Sequence, residues 1–318
     1  MNKEVTVKWR SSAPANLMLM GEHSVVHGHS AIACALTQRI HIDWQTRDDD
    51  QIIIYSELGH LQTTRQALPG NLPPSKLIWV IRCLQHYHSQ LKTGLSITIK
   101  SDFSDTLGLG SSAAVLAAML GGLDYLLENT PISLSQQFAT GLKIIQQIQG
   151  RGSGSDLAAS LHGGIIHFQP ETQQIDPLSI HLDLSLVYCG YKTPTAKVLQ
   201  KVAQSWSETP NQLQHLYQLM AETTQLGYQA LCQQNWSQFS QQLNRYQGLM
   251  DTLGVNDATL SHLVYALRQD PNITASKISG SGLGDCVVAL GRMSESTLKT
   301  YQKIHIQVHS LGLDVQPL

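Results

Sequence analysis

Several things are scarce in this sequence of 318 residues, and each scarcity closes off a class of protein. Basic charge is not in excess: 21 Lys and Arg stand against 23 Asp and Glu, so no field is built for nucleic acid or for an anionic membrane. Cysteine is sparse and scattered. Cys34, Cys83, Cys189, Cys232 and Cys286 form an odd set with no CxxC spacing, which argues against a disulfide framework or a cysteine metal site and reads as reduced, half-buried filler. Long apolar runs are missing. The longest, residues 113–127, is interrupted by Gly121, Gly122 and Asp124 and falls short of a bilayer span, while residues 17–20 are too few for a secretory signal core; a cytoplasmic protein is expected. There is no internal repeat, and the glutamine-rich stretch 212–248 reads as a solvated helix face. What remains is 42% hydrophobic, enough for one large core or two modest ones.

The first half alternates short β-branched runs with helical spacing. Strands are expected at 5–10, 17–20, 32–43, 51–55 and 95–100, and helices at 77–91 and 112–127. Ser133, with Gln136 three residues on, predicts a capped helix to about Gln149. Past a polar stretch with two prolines at 169–177 comes a strand at 185–189, and then the character changes to long helices. Leu213, Leu216, Met220, Tyr228, Leu231, Phe239, Leu243, Tyr246 and Met250 recur at three-to-four-residue steps with a break near Asn235, which predicts a helical hairpin. Strands at 277–279, 286–290 and 304–309, with a helix at 294–303, predict a ferredoxin-like closing piece. The fold class is thus α+β: a mixed α/β domain over 1–182, a ferredoxin-like α+β domain over 183–318, and a site in the cleft between them.

Three segments carry chemistry. Leu107-Gly108-Leu109-Gly110-Ser111-Ser112-Ala113-Ala114 runs straight into an apolar helix. Small residues let backbone amides close around an anion, and the helix points its unpaired N–H groups and positive end at the same spot. The alternative is a tight turn before a core helix. In Gly152-Ser153-Gly154-Ser155-Asp156 a carboxylate sits on a glycine-serine turn before a small-residue helix, either as a helix cap or as a group that takes a hydroxyl proton. Glu22 and His23, with His27 close behind, follow the strand at 17–20 and are suited to hydrogen-bonding a polar substrate. Near the far end lies a second glycine loop, Ser279-Gly280-Ser281-Gly282-Leu283-Gly284-Asp285-Cys286.

Taken together with Ala13-Pro14-Ala15-Asn16, these runs resemble the three motifs of the GHMP small-molecule kinases. Gly21-Glu22-His23-Ser24-Val25-Val26-His27-Gly28 is most similar to the mevalonate kinase branch. The resemblance spans nearly the whole chain and implies a two-domain fold whose N-terminal half is of the ribosomal small-subunit-protein type. It implies ATP and Mg2+, an ATP-dependent transfer to the 5-hydroxyl of mevalonate, and a small polar alcohol as partner rather than nucleic acid or membrane; it is compatible with a homodimer. By resemblance Asp156 is the catalytic base, Gly108, Leu109, Gly110, Ser111, Ser112 and Ala113 hold the nucleotide, and the Ser112 hydroxyl binds Mg2+. Glu22, His23, His27, Ser155, Thr193, Gly280 and Ser281 are expected around the acceptor, with Thr195 beside Thr193 in the same turn and Lys277 facing outward.

Two departures stand out. Asn16 occupies the place of a catalytic lysine and carries no charge to offset phosphoryl oxygens, leaving Arg151, Lys143 or Lys192 as substitutes. Ile145 stands where a Mg2+-binding glutamate is expected, so Asp102, Asp105 or another carboxylate takes over, or Ser112, phosphates and water suffice. Gly284-Asp285-Cys286 resembles phosphomevalonate kinases, which keeps a phosphorylated acceptor open, as are a sugar or polyol acceptor and a nucleotide-binding regulator without catalysis.

Overall fold

A computed structural model describes residues 7–70, 72–127 and 132–318. The strands expected at 5–10 and 17–20 are one strand, β1 (Lys8–Met20), with Val5 and Thr6 outside the described residues. It runs through Pro14 because the pairing register with β2 (Ala31–Arg47) shifts between Pro14 and Asn16, a bulge at the residue that has no N–H to give. β3 (Gln51–Ser56), β4 (Gly59–Thr64), α1 (Ile78–Tyr87), β5 (Gly94–Ser101), α2 (Ser111–Leu127), α3 (Leu134–Gln149), α4 (Ser155–His162), β6 (Ile165–Gln169) and β7 (Gln174–Leu178) complete the first half. Ser133 and Gln136 form the expected capping box at the start of α3.

α2 is buried along most of its length, and its small residues explain how. Trp9 and Trp44 stack at 5.6 Å beneath it, and Trp9 Nε1 donates to the Gly122 carbonyl at 2.9 Å. A Cβ on Gly122 would lie 2.3 Å from the Trp44 ring, so glycine lets the helix press onto the indoles. That contact fixes the helix whose N-terminus carries the glycine-serine loop.

β8 (Asp183–Tyr188) opens a second sheet, followed by α5 (Thr195–Ser205), the hairpin α6 (Pro210–Cys232) and α7 (Trp236–Leu253), α8 (Ala258–Arg268), β9 (Ala275–Ser279), β10 (Cys286–Leu290) and β11 (Lys303–Gln307). Asn235 ends the break in the hairpin by capping α7 through the Gln238 N–H. The strand order β11-β8-β10-β9, all antiparallel, is ferredoxin-like. The helix expected at 294–303 is absent: the segment forms turns. Asp270 takes hydrogen bonds from the Ser294 N–H, the Ser294 hydroxyl and the Thr297 hydroxyl, and Leu298 sits at φ +50°, outside helical space.

The last strand departs from the expected division at 182/183. β12 (Asp314–Pro317) leaves the second sheet and pairs antiparallel with β1 in the first, whose order is β12-β1-β2-β5-β3-β4, with β6 and β7 continuing from β2. Arg39 secures the crossing by donating to the carbonyls of Leu311, Gly312 and Ser12. Four of the five cysteines are buried, none is bonded to another, and Cys232 is exposed. No helix among the described residues is long and apolar enough to cross a membrane.

Candidate active site

The glycine-serine loop takes a shape that only small residues permit. Gly108 and Gly110 both sit at φ +66°, and the Gly110 carbonyl receives the N–H groups of Ala113 and Ala114 as the first bonds of α2. Asn16 pins the loop from β1. Its N–H donates to Leu109, and its two amide hydrogens go to the Gly110 carbonyl at 3.2 Å and the Ser160 hydroxyl at 2.9 Å. Asn16 therefore has no donor left for Asp156. Where a catalytic lysine was expected, a buried amide stitches the loop, β1 and α4 together.

Asp156 lies in the first turn of α4, but the cap position is Gly154 at φ +83°, and no side-chain cap bond forms. The capping alternative is thereby excluded. Asp156 is exposed to a cavity of about 670 Å3; the protein packed around that cleft keeps enough water from its carboxyl that desolvation, with the charge of Glu22 adding, pushes its pKa up to about 6. The same cavity is lined by Asn16, Glu22, His23, Gly108, Gly110, Ser112, Ala113, Ser155, Gly280 and Ser281. The structure thus brings the glycine-serine loop, the Asp156 carboxylate and the Glu22–His23 pair into one cleft. Leu109 is buried beneath the loop, and Ser111 faces a neighbouring cavity of about 590 Å3 that shares Ser112 and Trp79 with the first.

His23 stands at φ +64°, and its Nε2 is 2.9 Å from the Ser281 carbonyl. A carbonyl only accepts, so Nε2 carries the proton. Burial lowers the ring's pKa to about 4, so at neutral pH Nδ1 is a bare acceptor, and it has no partner among the described residues. Glu22 is buried as well, and its carboxylate forms an ion pair with Lys277 Nζ, leaving Oε2 unpartnered.

Lys277 contradicts the outward placement expected for it. It is fully buried, because all five residues of β9 lie inside, covered by α7 and α8, and alternation along such a strand does not separate inside from outside. The signal available was the pairing itself: an inward lysine requires an inward acid, and Glu22 was already a candidate.

Two other placements differ from expectation. His27 ends a single 3₁₀ turn (Ser24–His27), which carries its ring away from the cavity to stack on Tyr217 of α6 at 4.2 Å. Thr193 spends its hydroxyl on the Leu283 carbonyl at 2.5 Å, and Thr195, at the start of α5, lines the cavity instead. Of the substitute cations, Arg151 lines the cavity, Lys143 is exposed on α3, and Lys192 lies 3.5 Å from Asp285, whose carboxyl rests against Gly108.

The oxygen donors near the two cavities are few. Ile145 is buried at the cavity wall, Asp102 takes the Arg39 N–H and faces the smaller cavity with Asp105, and no group of three or more His, Cys, Asp or Glu suited to a metal occurs among the described residues. A hard cation held largely by phosphate oxygens and one hydroxyl fits such a set; a protein-caged transition metal does not.

Comparison with known proteins agrees with this geometry. The model described as the GHMP kinases N terminal domain matches residues 76–164, and that described as GHMP kinases C terminal matches residues 228–300. The mevalonate kinase of Methanothermobacter thermautotrophicus is 29% identical over 284 residues, covering 89% of this chain and 90% of that one. The mevalonate kinase of Pyrococcus abyssi is 28% identical over 312 residues, covering 92% of each. Among solved structures, a Listeria innocua protein superposes with a TM-score of 0.83 at 21% identity over 97% of this chain and 99% of that one. The Methanococcus jannaschii mevalonate kinase gives a TM-score of 0.77 at 19% identity over 96% and 99%; both are likenesses of fold.

Proposed function

This chain belongs to the GHMP kinases, and from that premise we propose that it transfers the γ-phosphoryl group of ATP to the 5-hydroxyl of mevalonate in the cytoplasm. The observation that carries the acceptor assignment is the charge inventory of the larger cavity, in which Arg151 is the one Lys or Arg lining the wall among the described residues. A single guanidinium matches the single carboxylate of mevalonate. A phosphorylated acceptor brings further negative charge and needs further cations, yet Lys192 is not part of the wall and lies 3.5 Å from Asp285.

In this reading the smaller cavity receives the base and sugar, since Leu77, Trp79, Val80, Ile99 and Phe103 give it apolar walls beside the phosphate loop. The amides of residues 108–112 and the positive end of α2 face the phosphates. Mg2+, held by the Ser112 hydroxyl together with phosphate oxygens and water, would neutralise charge on the β- and γ-phosphates. The acceptor oxygen attacks the γ-phosphorus, its proton passes to the Asp156 carboxylate, and ADP leaves with the bond between the γ-phosphorus and its bridging oxygen broken. Arg151, at the cavity wall, takes the acceptor's carboxylate, and His23 forms part of the same wall.

The test is ADP release with Mg-ATP and, in turn, mevalonate, phosphomevalonate, galactose and homoserine, on the wild type and on Asp156→Ala. Turnover with mevalonate alone, lost in the variant, is the expected result. Turnover with phosphomevalonate instead would overturn the charge argument, and ATP binding without turnover on any acceptor would make the chain a nucleotide-responsive regulator.

A further inference from the structure

The acceptor end of the cleft is built from β1 on one side and second-sheet elements on the other, and one buried cation joins them. Lys277 Nζ meets Glu22 Oε1 and donates to the Ile278 carbonyl, and it lies 5.6 Å from the centre of the Tyr246 ring. Tyr246, from α7, donates its hydroxyl to the backbone carbonyl of the same Glu22 at 2.8 Å. One residue of β1's exit is thus gripped twice by the second domain, once through its side chain and once through its backbone. His23 adds a third tie to Ser281. Yet Lys277 does not line the cavity, whereas Glu22 and Asp156 do.

We propose that Lys277 is a positioning residue for phosphoryl transfer, holding the Glu22 carboxylate charged and fixed at the acceptor wall, where that charge acts on Asp156. The proposal rests on the kinase reading above. A carboxylate sealed from water without a counter-charge takes up a proton, so the ammonium is what the buried acid requires. Burial pushes the Glu22 carboxyl up and the Lys277 ammonium down, and each group's charge opposes the shift of the other. Among the described residues the titratable groups that act with this pair are Tyr246 from α7, Asp156 from α4 and His23 from the turn after β1; His27 and Arg151 lie one step further out, beside His23 and His27 respectively. Of these, Glu22 is the one whose charge raises Asp156.

Two readouts test this on the full chain. The first needs no substrate. In Lys277→Met the Glu22 carboxyl stays protonated in the folded state to higher pH than in the unfolded chain, so the folded state binds the extra proton and stability falls as pH rises. The variant's Tm is expected to drop between pH 6 and 9 while the wild type's holds, and Glu22→Gln combined with Lys277→Met is expected to restore the wild-type slope. Parallel Tm curves for wild type and Lys277→Met would overturn the proposal. So would a double variant that fails to fold, since it carries no buried charge and would make Lys277 a packing residue.

The second readout is the acid limb of kcat/KM. With Glu22 neutral, Asp156 ionises more readily, and the limb in Lys277→Met is expected to move about one pH unit lower, with Lys277→Arg close to wild type. A limb that stays in place or moves up overturns the proposal even if activity falls, because loss of scaffold alone lowers a rate without shifting its titration. Should the wild type fail to phosphorylate mevalonate, the acceptor reading fails while the Tm comparison still decides the pairing.

Discussion

Asp156 offers the sharpest measurement. The residue is exposed to the cavity, yet desolvation by the protein packed around the cleft, followed by the charge of Glu22, raises its pKa from 3.8 to about 6. A base must be ionised to accept the acceptor's proton, so activity is lost on the acid side. With that pKa, roughly nine tenths of the molecules carry the ionised form at pH 7 and roughly one tenth at pH 5, which makes kcat/KM about tenfold lower at pH 5. An unshifted aspartate would leave the rate nearly flat over the same interval. The assay is coupled ADP release at constant ionic strength with the coupling enzymes in excess at every pH. Asp156→Asn, which keeps the shape and removes the proton acceptor, is expected to lower kcat by roughly a hundredfold or more at pH 7. A wild-type profile flat from pH 7 to pH 5, or an Asn variant that keeps a tenth of the rate, would refute the assignment of the base.

The remaining expectations concern the scaffold and the substrates. Gly110→Ala places a Cβ 2.1 Å from Asn16 Oδ1 at a left-handed φ, and KM for ATP is expected to rise at least several-fold. Asn16→Ala strips the Gly110 carbonyl and Ser160 hydroxyl of a donor, and urea unfolding should show a loss of about 2–3 kcal/mol. Gly122→Val drives a side chain into Trp44 and should cost about 1–3 kcal/mol, read as a lower Tm. Arg151→Gln should raise KM for mevalonate about tenfold with KM for ATP little changed, since it removes one charge-assisted bond.

How much of this was legible in the sequence depended on whether the information was local. The Ser133 capping box, the break at Asn235 and the glycine-serine loop are short-range signals, and the structure has each where the residues put it. Gathering the motifs into one cleft is long-range, and it was legible only through the resemblance. What failed did so for stated reasons. The turn at 294–303 is held by Asp270, some 24 residues upstream in sequence from its first partner, and no window over the segment contains that carboxylate. Lys277 was misplaced because a strand covered on both faces breaks the rule that charged residues point outward. His27 was carried over with its neighbours although one 3₁₀ turn rotates it onto Tyr217.

The return of β12 to β1 bears on how the molecule is made. β1 carries Asn16 and leads to Glu22, yet one of its edges is satisfied by residues 314–317, far downstream in sequence. Until they arrive, Trp9 to Ser12 present an open hydrogen-bonding edge, and Arg39 lacks the carbonyls of Leu311 and Gly312. Folding of the first sheet is therefore coupled to a strand far downstream, a non-local closure that slows it and leaves the nascent polypeptide open to aggregation until that strand is made. An insertion or cut within residues 314–317 therefore unseals the sheet against which the helix of the glycine-serine loop packs.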